Sequence, residues 1–161
     1  MPLYLPSVPP IYFPATAVAD TNANALDDYE EGEWTAAVTF ATPGNLSVVH
    51  SASLCRYTKV GRLVTVMGRV QTSTFTHTTA SGAFHISGLP FTTINANPGA
   101  GSCAFRGSNL AQRPISLRVL QNGTTIEFQI HDGAAALATL TIAHVPTGGT
   151  VDIVFAATYD V

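Results

Sequence analysis

Acidic side chains are the first candidates for chemistry in this chain. Six of its ten carboxylates, Asp20, Asp27, Asp28, Glu30, Glu31 and Glu33, fall between residues 20 and 33. Clustered carboxylates suit Ca²⁺, a hard ion that takes about six to eight oxygen ligands. Residues 27–33 lack the alternating Asp/Asn order and the glycine placement of a calcium loop, so residues 20–33 are read as an acidic turn, solvated or paired with arginine, and no metal is expected. Five histidines, His50, His77, His85, His131 and His144, are scattered without HExxH or HxH spacing and indicate no ligand set. His131 and Asp132 resemble a base with its orienting carboxylate, but the chain has no GxSxG nucleophile elbow for them to serve. A non-enzymatic protein is expected, with no catalytic residue and no cofactor. Outside the acidic segment only Glu127, Asp132, Asp152 and Asp160 remain to form an acid pair of the hydrolase kind.

Cys55 and Cys103 have neither CxxC spacing nor a histidine pattern nearby. They read as two reduced, buried thiols of a protein made in a reducing cytoplasm, in preference to a disulfide or a metal site. Asn45-Leu46-Ser47 and Asn122-Gly123-Thr124 match the glycosylation sequon. Without a recognisable secretion signal they are read as coincidence.

Charge divides the chain in two. The first 33 residues hold no Lys or Arg, so an arm and turn of charge −6 precede a body of +3. The basic groups are Arg56, Lys59, Arg62, Arg69, Arg106, Arg113 and Arg118, too sparse for a nucleic-acid-binding face in a chain of pI 5.9. Arg56, Lys59, Arg62 and Arg69 share one expected hairpin. They are expected to pair with Asp27, Asp28, Glu30 and Glu31, around Tyr29, in the same or an adjacent subunit.

Hydrophobic residues make up 46% of the 161 residues, ample for the core of one domain, while charged residues make up only 11%. A typical soluble protein carries about 25%. So weakly charged a surface implies cover by copies of the chain or by a scaffold. No uninterrupted apolar run approaches the roughly 18 residues a membrane helix needs, so no membrane association is expected.

The elements that must position these groups follow a period of two. Trp34, Ala36, Val38 and Phe40 share a face, as do Ile115, Leu117 and Val119, then Ile126, Phe128 and Ile130, then Val151, Ile153, Phe155, Ala157 and Tyr159. Further strands are expected at residues 46–50, 54–60, 62–71, 82–86, 102–106 and 137–142. Asn122-Gly123, Asp132-Gly133 and Gly61 mark turns. The fold class that follows is all-β, an antiparallel β-sandwich or jelly roll over residues 34–161.

Ahead of it, Pro2, Pro6, Pro9, Pro10 and Pro14 impose an extended path on residues 1–19, and Leu3, Tyr4, Leu5, Ile11, Tyr12 and Phe13 make it apolar. At about 3.1 Å per residue such an arm spans on the order of 55 Å. It is expected to dock in a groove of another chain.

The stretch IYFPATAVADTNANALDDYEEGEWTAAVTF, residues 11–40, resembles a recurrent segment of tail fibres and other surface proteins of tailed bacteriophages. CRYTKVGRLVTVMGRV, residues 55–70, is similar to the same family's Arg-Tyr-Thr-Lys-x-Gly hairpin, and HISGLPF, residues 85–91, to its Ile-Ser-Gly-Leu-Pro-Phe corner. The resemblance implies an all-β, homotrimeric domain on the virion surface, made in the host cytoplasm. It also implies structural roles for Leu26, Asp27, Asp28, Tyr29, Glu30, Glu31 and Gly32, and for Arg56, Tyr57, Thr58, Lys59 and Gly61. Family members often carry a long fibrous shaft. Here only about 20 residues precede the domain and no heptads occur, which suits a capsid decoration (cement) protein bound through its arm to the major capsid protein. The alternative is a short tail fibre or tail-tip knob, bound to a tail protein and gripping a host surface receptor. It calls for an exposed distal cleft, for which Phe75, His77, Phe105 and Arg106 are the candidates.

Overall fold

The computed structural model describes Tyr12 and residues 28–106, 110–131, 133 and 136–161. Ten strands appear in chain order: β1 (Tyr29–Trp34), β2 (Ala37–Thr42), β3 (Ser47–Val60), β4 (Leu63–Thr76), β5 (Ser81–Ser87), β6 (Ala100–Phe105), β7 (Pro114–Val119), β8 (Thr125–Ile130), β9 (Ala138–Thr139) and β10 (Asp152–Asp160). One 3₁₀ turn, Ile142–His144, lies between β9 and β10. All ladders are antiparallel and run in the order β1-β3-β4-β10-β6-β7-β8-β5-β2, with β9 added beside β8.

The two ends of that path are consecutive in sequence. β1 and β2 are joined by Thr35 and Ala36 alone, so a sheet with β1 at one end and β2 at the other has to curl back toward itself. The result is a curled half-barrel whose concave side holds the core. Ring pairs that are not ladder neighbours prove the curl: Trp34 of β1 meets Phe155 of β10 at 6.1 Å, Phe40 of β2 meets Phe75 of β4 at 6.0 Å, and Phe84 of β5 meets Phe105 of β6 at 6.0 Å. The all-β, antiparallel expectation holds. The strands follow one continuous curled sheet whose opposite walls face each other across the core.

Strand alternation sorts the side chains. Val64, Val66, Val70 and Phe75 of β4 point inward and are buried, while Thr65 and Met67 point outward. The expected strands 46–50 and 54–60 are one 14-residue strand, β3, with a bulge between Val49 and Ala52. The extra residue shifts the inside–outside phase, which in sequence imitates a break. The opposite happens at Trp34–Phe40. The alternation runs unbroken through buried Trp34, Ala36, Val38 and Phe40, yet residues 29–34 pair with β3 and 37–42 with β5. Alternation reports the face a residue occupies and carries no information about its ladder partner.

The expected strand 137–142 is reduced to Ala138–Thr139. Leu140 then links the neighbouring strands β8 and β5, its N–H donating to the Phe128 carbonyl and its own carbonyl accepting from Phe84 N–H, both at 2.8 Å. The expected acidic turn is also corrected: from Tyr29 onward it is the edge strand β1.

Candidate interaction surface

The described parts of the three segments that carry the resemblance meet at one place, the β1–β3 ladder and the corner after β5. Glu30 lies opposite Lys59, Gly32 opposite Tyr57 and Glu33 opposite Arg56. Asp28, just ahead of β1, forms an ion pair with Lys59 in which both side chains are largely shielded from water, and its carbonyl accepts from Gly61 N–H at 2.8 Å. Gly61 takes a positive φ of 56° in the tight β3–β4 turn, which glycine adopts without strain.

Tyr57 is the centre of this knot. Its hydroxyl donates to Glu30 Oε1 at 2.5 Å, and its ring meets Phe91 edge-on at 5.3 Å. A Cβ on Gly32 would lie 2.9 Å from that ring, so the glycine of the Glu-Glu-Gly motif is where the tyrosine crosses β1. Lys59 Nζ sits 5.7 Å from the centre of the Phe91 ring, within cation–π range. Gly88, at φ 92°, presses against the Thr35 carbonyl, where a Cβ would stand 2.6 Å away. The hydrogen bond to Glu30 raises the Tyr57 pKa above the ordinary phenol value, assisted by partial burial and by the carboxylate's charge.

Of the expected pairing residues, Asp28, Glu30, Arg56 and Lys59 come together within one chain, with Arg56 Nε 3.4 Å from Glu33. Tyr29 donates instead to Glu31 at 3.0 Å, two residues along its own strand. Among the described residues, neither Arg62 nor Arg69 pairs with the acidic segment: Arg62 Nε lies 3.9 Å from Asp160, because the turn at Gly61 carries it to the far side of β4, and Arg69 pairs with Asp152. Asp27 and the arm residues Leu3, Tyr4, Leu5, Ile11 and Phe13 lie outside the described residues. Tyr12, described by itself, is 85% exposed.

The distal cleft expected of a receptor-binding knob is corrected. Phe75, His77 and Phe105 are buried and belong to the core, where Phe40 and Phe75 both pack edge-on against the His77 ring. Aromatic residues near strand ends read as cleft lining in sequence, and here they plug the end of the curl.

Among the described residues, no group of His, Cys, Asp and Glu is placed to hold a metal ion, and no helix is long and apolar enough to cross a membrane. Of the acids outside the acidic segment, Glu127, Asp152 and Asp160 are each engaged by arginine, and Asp132 lies outside the described residues. Arg69 forks Asp152 at 3.0 and 2.9 Å, Arg118 forks Glu127 Oε1 at 2.8 and 2.7 Å, and Arg62 approaches Asp160. Arg69's hydrogen bonds hold the Asp152 carboxyl below the usual range against the opposing pull of partial burial. Cys55 is buried and Cys103 half-buried, and both are free thiols. Burial pushes Cys55 up and Cys103 to about 11.

The convex side of β3, β4 and β10 carries what sequence reasoning missed. Leu54, Met67 and Val154 point outward and are 72%, 57% and 41% exposed. They line a shallow groove of about 670 Å³ that continues, past Arg56 and Met67, into a second of about 400 Å³. The signal available in the sequence was phase: these three are apolar at positions whose neighbours, Cys55, Val66 and Phe155, already fill the inward face. No protein-family model matches the chain, and neither a curated protein nor a solved structure matches it.

Proposed function

We propose that this chain is a homotrimeric structural protein of a tailed-bacteriophage virion, a capsid decoration protein that braces the head shell. In this reading the two walls of the curl pack as the layers of a sandwich-like knob. Residues 1–19 form an extended arm that fastens the knob to the major capsid protein. What supports the reading is the convergence of the three resembling segments: Asp28, Gly32, Tyr57, Lys59 and Phe91 occupy consecutive places in one interlocking cluster. Motif residues that touch one another in a closed set of contacts suit a structural role. The neutral, apolar convex face supports assembly into multiple copies.

Counting and locating the protein in purified particles tests the reading. Hundreds of copies spread over the head are expected. A few dozen or fewer confined to the tail would replace it with the tail-knob alternative, and absence from particles would remove both.

A further inference from the structure

The convex face of β3, β4, β10 and β6 is a sheet surface of unusual composition. Across the rows in register, Arg56, Met67, Ala156 and Ser102 are neighbours, then Leu54, Arg69, Val154 and Ala104. Small residues at Ala104, Ala156 and Ser102 leave the β10–β6 half low. A second sheet could therefore approach to the ordinary face-to-face spacing of about 10 Å.

Its charges are balanced. Arg69 is forked by Asp152 and Arg56 faces Glu33, so the face presents no net charge to attract a nucleic acid or an acidic partner. Each copy brings both members of each pair, so like faces set together offer Arg to Glu as well as Leu to Met. The edge beside this face is closed to copies by a different device. β1 carries Glu30, Glu31 and Glu33 within six residues, so edge-to-edge addition of another β1 would set like charges opposite one another.

We propose that copies of this chain meet through this face, each turning Leu54, Met67 and Val154 toward a common symmetry axis. The proposal rests on the self-assembly part of the functional reading and names the surface that performs it. Six rows at about 3.3 Å across four strands at about 4.8 Å give an area of roughly 400 Å² measured along the sheet. That is about half of the roughly 800 Å² per partner in a standard interface. The exposed Val60 and Leu63 at the tip of the β3–β4 hairpin extend the same apolar surface.

Leu54→Glu and Met67→Glu test the proposal, because both side chains are mostly exposed and their loss leaves the core untouched. Leu137→Glu, at an exposed apolar site off this face, is the control. Sedimentation of the full-length chains should show wild type and Leu137→Glu as multi-copy species and both face variants as single chains with unchanged circular dichroism. Oxidative footprinting of wild-type Met67 should show protection that disappears on dilution. Face variants that assemble like wild type would overturn the choice of surface while leaving self-assembly standing. A wild-type chain that stays single would overturn both, and neither result depends on where the protein sits in a particle.

Discussion

The Tyr57 ring lies across Gly32, close enough that a single added carbon on the glycine would stand 2.9 Å from the ring. The ring cannot retreat freely, since Phe91 backs it at 5.3 Å and Glu30 holds its hydroxyl. Gly32→Ala should therefore destabilise the domain by about 1–3 kcal/mol, the usual cost of overpacking. Denaturant unfolding checks this. In the Tyr57→Ala background the same alanine should cost much less, a non-additivity expected of residues in contact. Equal costs in both backgrounds would mean the ring does not enforce the glycine.

Lys59 and Asp28 neutralise each other where both are mostly shielded from water. Removing one partner of such a pair leaves an uncompensated charge, at a cost of about 3 kcal/mol. Lys59→Met should lower stability by that order. Asp28→Asn combined with Lys59→Met should recover part of it, because no lone charge remains. Urea midpoints of the two variants decide the matter.

The strength of the Asp152–Arg69 fork should be legible in acid. Asp152's carboxyl titrates below its unfolded value of about 3.9, so the contact stabilises fully above about pH 4 and fades as pH falls through the folded value. Asp152→Asn should show its full deficit against wild type at pH 6 and a shrinking deficit below pH 4 in thermal unfolding curves. A deficit that stays constant across that range would contradict the assignment.

Much of this architecture was legible because β strands write their inward face into the sequence. Val64, Val66 and Val70 alternate with outward residues, and β4, β7, β8 and β10 fall where period two occurs. What alternation cannot express is pairing. Nothing local in Trp34–Phe40 indicates that Thr35 and Ala36 carry the chain from one end of the sheet to the other, because that corner is enforced by contacts with residues far along the chain, Gly88 among them. The acidic segment's partners were partly legible. Charge opposition pointed to Arg56 and Lys59 but equally to Arg62, and only the turn at Gly61 separates them. Phe91's part in the knot had no charge signal at all, since its role is to back the Tyr57 ring and to lie under Lys59.

Thiol chemistry gives a further check. The Cys103 thiol is held at about 11 and the Cys55 thiol is also raised, each by burial. Because the thiolate is the reactive form, a thiol-reactive dye at neutral pH should label the native protein slowly and take up two equivalents at once in denaturant. Rapid native labelling of either cysteine would contradict this packing.

The central claim is that the outer surface of this chain, which has only 11% charged residues and exposes Leu54 and Met67, is covered by sister chains. Sedimentation equilibrium of the purified wild-type chain at micromolar concentration tests it most directly. A species of three times 16.9 kDa is expected. A well-behaved single species of 16.9 kDa that persists as concentration rises would contradict it.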